Sequence, residues 1–546
     1  MAKSMKFTKI VATLGPQSRN PETVEALLRA GADVIRLNFS HGHHEDHALS
    51  VRLVREAAQK LNRYIAIFQD LQGPKIRLGQ LDGGFLDVIA GETLALTTDN
   101  LIGGIHDGVK KIAIDYCSLH EEVKPGDRVL IDDGLFELTV ERIEGHEIFT
   151  QVVNGGRLKP RKGVNLPNVK LKISAITDKD RADLQFAYDH WLDYVALSFV
   201  RDADDVKELI DTMLTTYGRK IPIIAKIEKP EAFRHIEGII AVADAIMVAR
   251  GDLGVETSPQ DVPLMQKTII RQCNIAGKPV ITATQMLESM IANPRPTRAE
   301  ANDVANAILD GTDAVMLSAE TAAGQYPIEA VRMMKDIALS VEASDIFKTL
   351  MHKNVLTQEE LLAKACLRIE DAVHFATMDL ADKVCARSIV GFTNSGASVL
   401  GLAKFRPLAP LIAFSSKVAT LRKLALVWGV TPLQLGAVVT SVDDLLSSAT
   451  EFLLNKNMVQ EGEIVVFTAG VPIGVSGGTN GGWREVAAVL PASGLAYWLH
   501  RSLTSLQLNH LAVVLTSAAT ATGLYLALTT LLNLALGTPS PRMAAG

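Results

Sequence analysis

Polar residues recur at the carboxyl ends of successive apolar runs in this chain, and their types suit chemistry that neutralises negative charge. Arg36, Asn38 and Ser40 close one run and Asp70 the next; Lys226 with Glu228, Arg250 with Asp252, Thr284, and Ser318 with Glu320 close four more. Alternate residues of a strand share a face, so Lys226 and Glu228 point the same way. Glu228 and Asp252, from neighbouring strands, form a pair of hard oxygen donors suited to Mg²⁺ or Mn²⁺. Gly251 and Gly254 let backbone N–H groups approach a ligand closely. Arg36 offers a fork for phosphate or carboxylate, and Asn38, Ser40 and Asp70 are oxygen donors of the kind that hold a monovalent cation. Thr284 suits binding a carboxylate or holding a water. Ser318 and Glu320, alternating on one strand face, suit a proton relay. Taken singly, Thr284 reads equally as a structural residue, and a buried ion pair is the lesser reading of Lys226 beside Glu228, one that weakens once Asp252 arrives from the next strand. His43, His44 and His47 read as a solvated helix start rather than a metal site. The chain has no GxxxxGK[ST] loop, no GxGxxG after a strand, no HExxH and no GxSxG. Lysine, arginine, carboxylates and hydroxyls suit phosphoryl transfer between metal-bridged oxygens, and also metal-assisted enolate chemistry.

Residues this far apart in sequence share a pocket only if the fold gathers strand ends. Strand-like runs at Lys9–Leu14, Val34–Ser40, Tyr64–Asp70, Tyr194–Val200, Pro222–Glu228, Ala245–Arg250, Pro279–Gln285 and Ala314–Glu320 alternate with helical patterns. Eight such units make a (β/α)8 TIM barrel the economical α/β solution, with the active site at the carboxyl ends of its strands; an open doubly wound sheet is the alternative. Between residues 72 and 170 the pattern changes to short alternating runs broken by Asp82-Gly83-Gly84, Pro125-Gly126-Asp127, Asp132-Asp133-Gly134 and Asn154-Gly155-Gly156, the mark of an inserted small β-barrel lid domain. The barrel is thus expected from residues 1–71 and 171–345. A C-terminal α/β domain is expected over 346–480, with strands at Ser388–Thr393, Leu411–Phe414 and Glu463–Thr468.

With 546 residues and a net charge of −6, the chain has room for several cores and no general nucleic-acid surface. Cys117, Cys273, Cys366 and Cys385 form no CxxC pair and no zinc spacing, which fits incidental thiols in a reducing cytoplasm. No apolar signal core precedes the first strand, so export is not expected. From Gly481 to Gly546 the only charged residues are Arg484, Glu485, Arg501 and Arg542. Within that stretch Leu511–Leu536 is uncharged and, as a helix, long enough to cross a bilayer core of roughly 30 Å. A membrane anchor, an apolar hairpin on a subunit interface and an altered reading frame are the three readings of this tail; the last is favoured and membrane contact is not.

Ten segments together resemble pyruvate kinase closely: TKIVATLGP, VIRLNFSHG, DLQGPKIR, KGVNLP, ITDKDRADL, KIEKPEA, MVARGDLGVE, ITATQMLESM, PRPTRAEANDVANAILDGTDAVMLSAETAAGQYP and GVPIGVSGGTN. They run in order from about Lys9 to Asn480. The resemblance implies phosphoryl transfer from phosphoenolpyruvate to ADP in glycolysis, by a homotetramer with a phosphorylated allosteric effector. It implies that Arg36 binds phosphate, Lys226 stabilises the phosphoryl in flight, and Glu228 and Asp252 hold the divalent metal. Gly251, Asp252 and Thr284 would hold the pyruvate moiety, and Asn38, Ser40, His41, Arg77 and Lys162 the nucleotide side. Asn38, Ser40, Asp70 and the Leu71 carbonyl would line a K⁺ site. Thr284, Ser318 and Glu320 would deliver a proton to the enolate. The chain departs from the family pattern in three places. Lys75 stands where many relatives have Glu, so K⁺ is expected to be dispensable. The loop Thr393, Asn394, Ser395, Gly396, Ala397, Ser398 reads as a phosphate nest for an effector. The terminal apolar strand that usually follows Asn480 is expected to be missing.

Overall fold

The computed structural model describes residues 6–167, 169–356, 369–436, 442–471 and 484–491. Eight short strands close a parallel barrel: β1 (Lys9–Thr13), β2 (Val34–Asn38), β3 (Ala66–Asp70), β4 (Tyr194–Leu197), β5 (Ile223–Ile227), β6 (Ala245–Ala249), β7 (Val280–Ala283) and β8 (Ala314–Leu317), with β8 pairing back to β1. Most end one to three residues before the apolar runs do, because the residues beyond turn toward the mouth or enter a helix.

Strand parity sorts the side chains. Ile35, Leu37, Ile67, Val195, Leu197, Ile223, Ala225 and Ile227 face the surrounding helices in one core. Val34, Phe68, Ala196, Ile224, Met247, Ala283 and Met316 face the barrel interior in another. The inward positions that come next are Arg36, Asp70, Ser198 and Lys226, so the site begins where the interior core stops. Side chains of layered barrel interiors alternate in this way. Capping residues fix where the helices start: Asn20 accepts from Thr23 N–H, and capping boxes form at Thr177 with Asp180 and at Thr297 with Glu300.

Residues 86–165 form a seven-stranded mixed sheet, running Val164–Asn165, Arg128–Ile131, Phe136–Glu144, Glu147–Asn154, Thr93–Thr97, Val109–Ala113, Gly104–His106, and a separate pair, Leu86–Val88 with Gly156–Leu158. Its turns fall at the Gly/Asp clusters read from the sequence; Asp132, Asp133 and Gly134 all take positive φ. The base of this lid is tied to the barrel where Gly73 N–H donates to Asp180 Oδ1 at 3.2 Å. Gly73 has φ +67°, and a Cβ there would lie 2.8 Å from the Phe199 ring, so no other residue fits easily.

The chain divides into two units, and Lys417–Leu433, from the middle of the expected C-terminal domain, belongs to the first with the barrel. Ala425 and Leu426 join the barrel-interior core from the amino ends of the strands. Around them Trp428 stacks on Phe7 at 4.7 Å between centroids, Lys9 Nζ donates to Val430 O at 2.6 Å, and Tyr194 Oη donates to Lys423 O at 3.0 Å.

In the second unit Leu411–Phe414, Ser388–Phe392 and Ile464–Val471 form a parallel sheet, as expected. A fourth strand corrects the sequence reading. Arg484–Pro491 pairs antiparallel with Ile464–Val471, from Ile464 opposite Pro491 to Val471 opposite Arg484, so a strand does follow Asn480. Val486-Ala487-Ala488-Val489-Leu490, bounded by Gly481-Gly482 and Pro491, is apolar enough to add to the sheet, and its Pro lies at the strand end where a missing N–H is tolerated. The uncharged run Leu511–Leu536 and Cys366 lie outside the described residues; among those described no helix is long and apolar enough to cross a membrane.

Candidate active site

Barrel register brings the central groups together. Asp70 pairs with Asn38 on β2 and with Ala196 on β4, and Leu197 pairs with Ala225, so Ser198 stands beside Lys226. The Lys226 ammonium lies 2.8 Å from Glu228 Oε1 and 3.2 Å from Asp70 Oδ1, and donates to Ser198 Oγ at 2.7 Å. Arg36 grips the other Asp70 oxygen through Nε and a terminal nitrogen, each at 2.7 Å, and reaches Thr13 Oγ1 at 3.3 Å. Lys226, Glu228 and Asp70 are all buried. Burial alone would lower the Lys226 pKa, but the Asp70 and Glu228 carboxylates outweigh it and hold the ammonium above its ordinary value. Burial likewise opposes ionisation of Asp70, yet Lys226 and Arg36 bring its carboxyl below the usual range. Glu228 goes the other way: burial raises it, Lys226 pulls it down, and the Asp252 charge raises it again.

Three carboxylates, Asp70, Glu228 and Asp252, therefore face two cations, Arg36 and Lys226. The net negative charge and the mutual repulsion of Glu228 and Asp252 are what a divalent cation would relieve. Among the described residues no cluster of three or more His, Cys, Asp or Glu side chains could hold a metal. Glu228 and Asp252 are two hard oxygen donors, a set that would fit Mg²⁺ if substrate and water completed its shell.

Asp252 is not on a strand. Arg250–Glu256 is a short helix directly after β6, so Asp252 comes from a helix and not from the neighbouring strand as the sequence reading had it. Arg250 instead clamps the end of β7, donating to Ala283 O at 3.3 Å and Thr284 O at 2.7 Å while pairing with Asp303 at 2.7 Å. That clamp holds Thr284 at φ +72° and Gln285 at φ +54°. For a β-branched residue this conformation is unfavourable by about 1–3 kcal/mol. It aims Thr284 Oγ1 at Gly251 N–H, which donates to it at 2.8 Å; a Cβ on Gly251 would lie 3.3 Å from that hydroxyl.

Ser318 and Glu320 also depart from the expected alternation. Ser318 precedes the helix Ala319–Ala322 and Glu320 lies in its first turn. The Glu320 carboxylate accepts Ser318 N–H at 2.7 Å and Leu287 N–H at 3.2 Å, and burial raises its pKa. Ser318 Oγ is buried with no hydrogen-bond partner.

His41, Arg77, Lys75 and Arg36 form one electrostatic neighbourhood: burial first, then those three positive charges, lower the His41 pKa. Lys162 lies next to Gly163, which bridges Arg77 across the lid base, and pairs with Asp132 at 2.8 Å. Three of the four expected monovalent-cation ligands already have engaged oxygens. Asn38 Oδ1 accepts Ser40 N–H at 3.1 Å, Leu71 O accepts the Ser198 hydroxyl at 2.7 Å, and Asp70 is paired twice. His47 is buried, stacked on Phe39 at 4.2 Å with its Nε2 3.0 Å from His41 O. It is a packed residue and not part of a solvated helix start, because the apolar face of its helix turns it inward. The loop Thr393–Ser398 lies in the second unit, where Gly396 N–H donates to Thr393 Oγ1 at 2.9 Å and Ala397 N–H to Ser395 Oγ at 3.4 Å ahead of the helix Ala397–Lys404.

Sequence reasoning missed Ser198, Thr13 and the Phe199 N–H, which donates to Glu228 Oε2 at 2.6 Å from a residue at φ +57°. The inward parity of β4, Tyr194, Ala196, Ser198, is the signal that finds the first of these.

Residues 5–331 match the family described as pyruvate kinase, barrel domain, and residues 371–481 match pyruvate kinase, alpha/beta domain. A pyruvate kinase of Geobacillus stearothermophilus is 46% identical over 475 residues, covering 87% of this chain and 79% of the relative. One of Clostridium acetobutylicum is 43% identical over 480 residues, covering 87% and 98%. A solved pyruvate kinase from Cryptosporidium parvum superposes with a TM-score of 0.81 at 35% identity, covering 89% of this chain and 96% of its own. With a closed eight-stranded barrel, an inserted lid and a separate α/β unit also in place, the chain belongs to the pyruvate kinase family, the phosphotransferases of glycolysis.

Proposed function

We propose that the pocket ringed by Arg36, Asp70, Lys226, Glu228 and Asp252 transfers the phosphoryl group of phosphoenolpyruvate to ADP. The observation that carries the reading is the buried charge network: two fixed cations set against three carboxylates at the mouth of the barrel. Arg36 receives the substrate phosphate. Lys226, held charged by Asp70 and Glu228, stands where negative charge passes between donor and acceptor oxygens. Gly251 and Thr284 seat the pyruvate carboxylate, and His41, Arg77 and Lys162 face the nucleotide, with Asn38 and Ser40 shaping that side. Glu228 and Asp252 would hold the divalent metal, which neutralises phosphate charge when bound. The P–O bond to the enol oxygen breaks as one to the ADP β-phosphate forms, and the enolate takes a proton at carbon. Thr284 commits its proton to Ala283 O at 2.6 Å and Glu320 accepts two N–H groups, which leaves the Ser318 hydroxyl as the group free to start that proton path. A coupled assay of ADP-dependent pyruvate formation tests the reading; no product from phosphoenolpyruvate, ADP and Mg²⁺ would sink it.

Thr284→Ala is expected to lower kcat by about 10- to 100-fold, as loss of a preorganised donor or acceptor does, while Thr284→Ser keeps the Gly251 contact and most activity. Steady-state kinetics on both variants decide this; an unimpaired Thr284→Ala enzyme would remove Thr284 from the site.

The engaged oxygens of Asn38, Leu71 and Asp70, and the Lys75 charge in the same neighbourhood, support activity without K⁺. In sodium-free tetramethylammonium buffer with Mg²⁺ the enzyme is expected to keep most of its activity, and added KCl to change it little. Loss of most activity, restored by KCl, overturns this. The reading also carries a cytoplasmic homotetramer with a phosphorylated effector at Thr393–Ser398. The exposed thiols of Cys117 and Cys385 support a reducing compartment.

A further inference from the structure

One buried hydrogen bond joins the lid to the helix that carries Asp252. Asn165 Nδ2 donates to Glu256 Oε1 at 2.8 Å, and the two residues are 9% and 4% exposed. Glu256 ends the helix Arg250–Glu256. Asp252 lies four residues earlier, on the same face and about 6 Å along the axis. The other end of this helix is pinned by the Gly251 contact to Thr284 and by Arg250.

Asn165 ends the lid strand Val164–Asn165, three residues and about 10 Å beyond Lys162. Val164 N–H donates to Ile76 O at 2.9 Å, so the chain entering the lid and the chain leaving it are laced together at this point. Lys75, Phe199 and Lys229 line the small cavity that Asn165 and Glu256 share. The lid strand cannot lift without leaving a buried carboxylate short of its donor, an unfavourable state.

We infer that Asn165 and Glu256 are positioning residues: their bond sets the Asp252 carboxylate from the lid strand that carries Lys162. The inference rests on the reaction proposed above in assigning Asp252 to the metal and Lys162 to the nucleotide. Coupling through one bond is reciprocal, so whatever seats the lid strand tightens metal binding and the converse.

The test uses the full chain and measures Mn²⁺ affinity by electron paramagnetic resonance without nucleotide, alongside KM for ADP, kcat and Tm. Asn165→Asp sets a second carboxylate against Glu256. It is expected to weaken Mn²⁺ binding by about tenfold or more, the scale of a lost bond to a charged group, and to raise KM for ADP. In Asn165→Asp/Glu256→Gln the amide and carboxylate exchange places and the bond re-forms with reversed polarity, so both constants should recover most of the way. Should Asn165→Asp not fold, Asn165→Ala serves in its place with the same expected direction. A purely structural pair would lower Tm and leave the Mn²⁺ constant and KM unchanged. That result, a double variant no better than the single, or a wild-type chain that binds no Mn²⁺ overturns the inference. Because Mn²⁺ binding is read without turnover, a chain that shows the predicted affinities but makes no pyruvate sinks the reaction and leaves the latch standing.

Discussion

Replacing Lys226 with Met is expected to lower kcat for pyruvate formation by about 10²–10³-fold or more, the scale of losing one preorganised charge-stabilising group. Met keeps the length and volume of the lysine stem, so the interior layer of β5 above Ile224 stays filled. What disappears is the cation that touches Asp70, Glu228 and Ser198 at once. Asp70 keeps Arg36, but Glu228 is left with the Phe199 N–H and the nearby Asp252 charge. Its carboxyl, already raised by burial, should rise further and bind a divalent metal more weakly at neutral pH. The variant should therefore combine a collapsed kcat with a raised Mg²⁺ requirement and a lowered Tm, though lowered less than in Asp70→Ala because Asp70 keeps Arg36. The coupled assay over a Mg²⁺ series checks the first two and thermal unfolding the third, and an active Lys226→Met enzyme overturns the mechanism.

The largest effect on stability is expected from Asp70→Ala. Asp70 is 1% exposed and is the shared partner of two cations whose side chains are 12% and 11% exposed. Removing it leaves Arg36 and Lys226 buried with only one carboxylate, Glu228, in direct contact. Breaking a buried pair by deleting one member costs about 3–5 kcal/mol. Asp70→Asn, which keeps the shape and two hydrogen-bonding positions, should lose less. Thermal unfolding of the two variants separates charge from packing; equal Tm values for Asp70→Ala and wild type would refute the account. The pH dependence follows in sign. The Asp70 carboxyl sits below its unfolded value, so its stabilisation is complete above the ordinary carboxylate range near ~3.9 and is lost as pH falls through the lower native value. Lys226 is shifted the opposite way, so its contribution is complete below the ordinary lysine value and is lost only above it. Through the neutral range Asp70 and Lys226 keep their charges.

What the sequence made legible was whatever strand parity and apolar runs control. The eight barrel strands, the lid insertion and the chemical character of Arg36, Asp70, Lys226 and Glu228 all follow from side chains placed by a two-residue period. Asp252, Ser318 and Glu320 were found as polar residues but misplaced, because a strand can hand over to a helix within one residue and the period changes with it. The role of Arg250 as a clamp was hidden because it depends on Asp303, fifty-three positions later. The Asn165–Glu256 bond was hidden for the same reason: neither residue is unusual in its own segment. The strand Arg484–Pro491 was overlooked because the tail around it is so poor in charge that a genuine edge strand did not stand out.

The segment Lys417–Leu433 has a consequence for how the protein is made. Leu426 and Ala425 complete the interior core that begins with Val11 and Val34, about four hundred positions earlier. All eight strands have been synthesised by residue 317, yet the floor of the barrel stays open until residues near 430 follow. Closing such a long loop is entropically slow, and the nascent chain meanwhile exposes apolar surface that binds chaperones or other chains. Catalytic capacity should therefore lag behind synthesis of the catalytic residues, and a chain stopped anywhere between 345 and 416 would hold every residue of the site without the plug that lets the barrel settle around it.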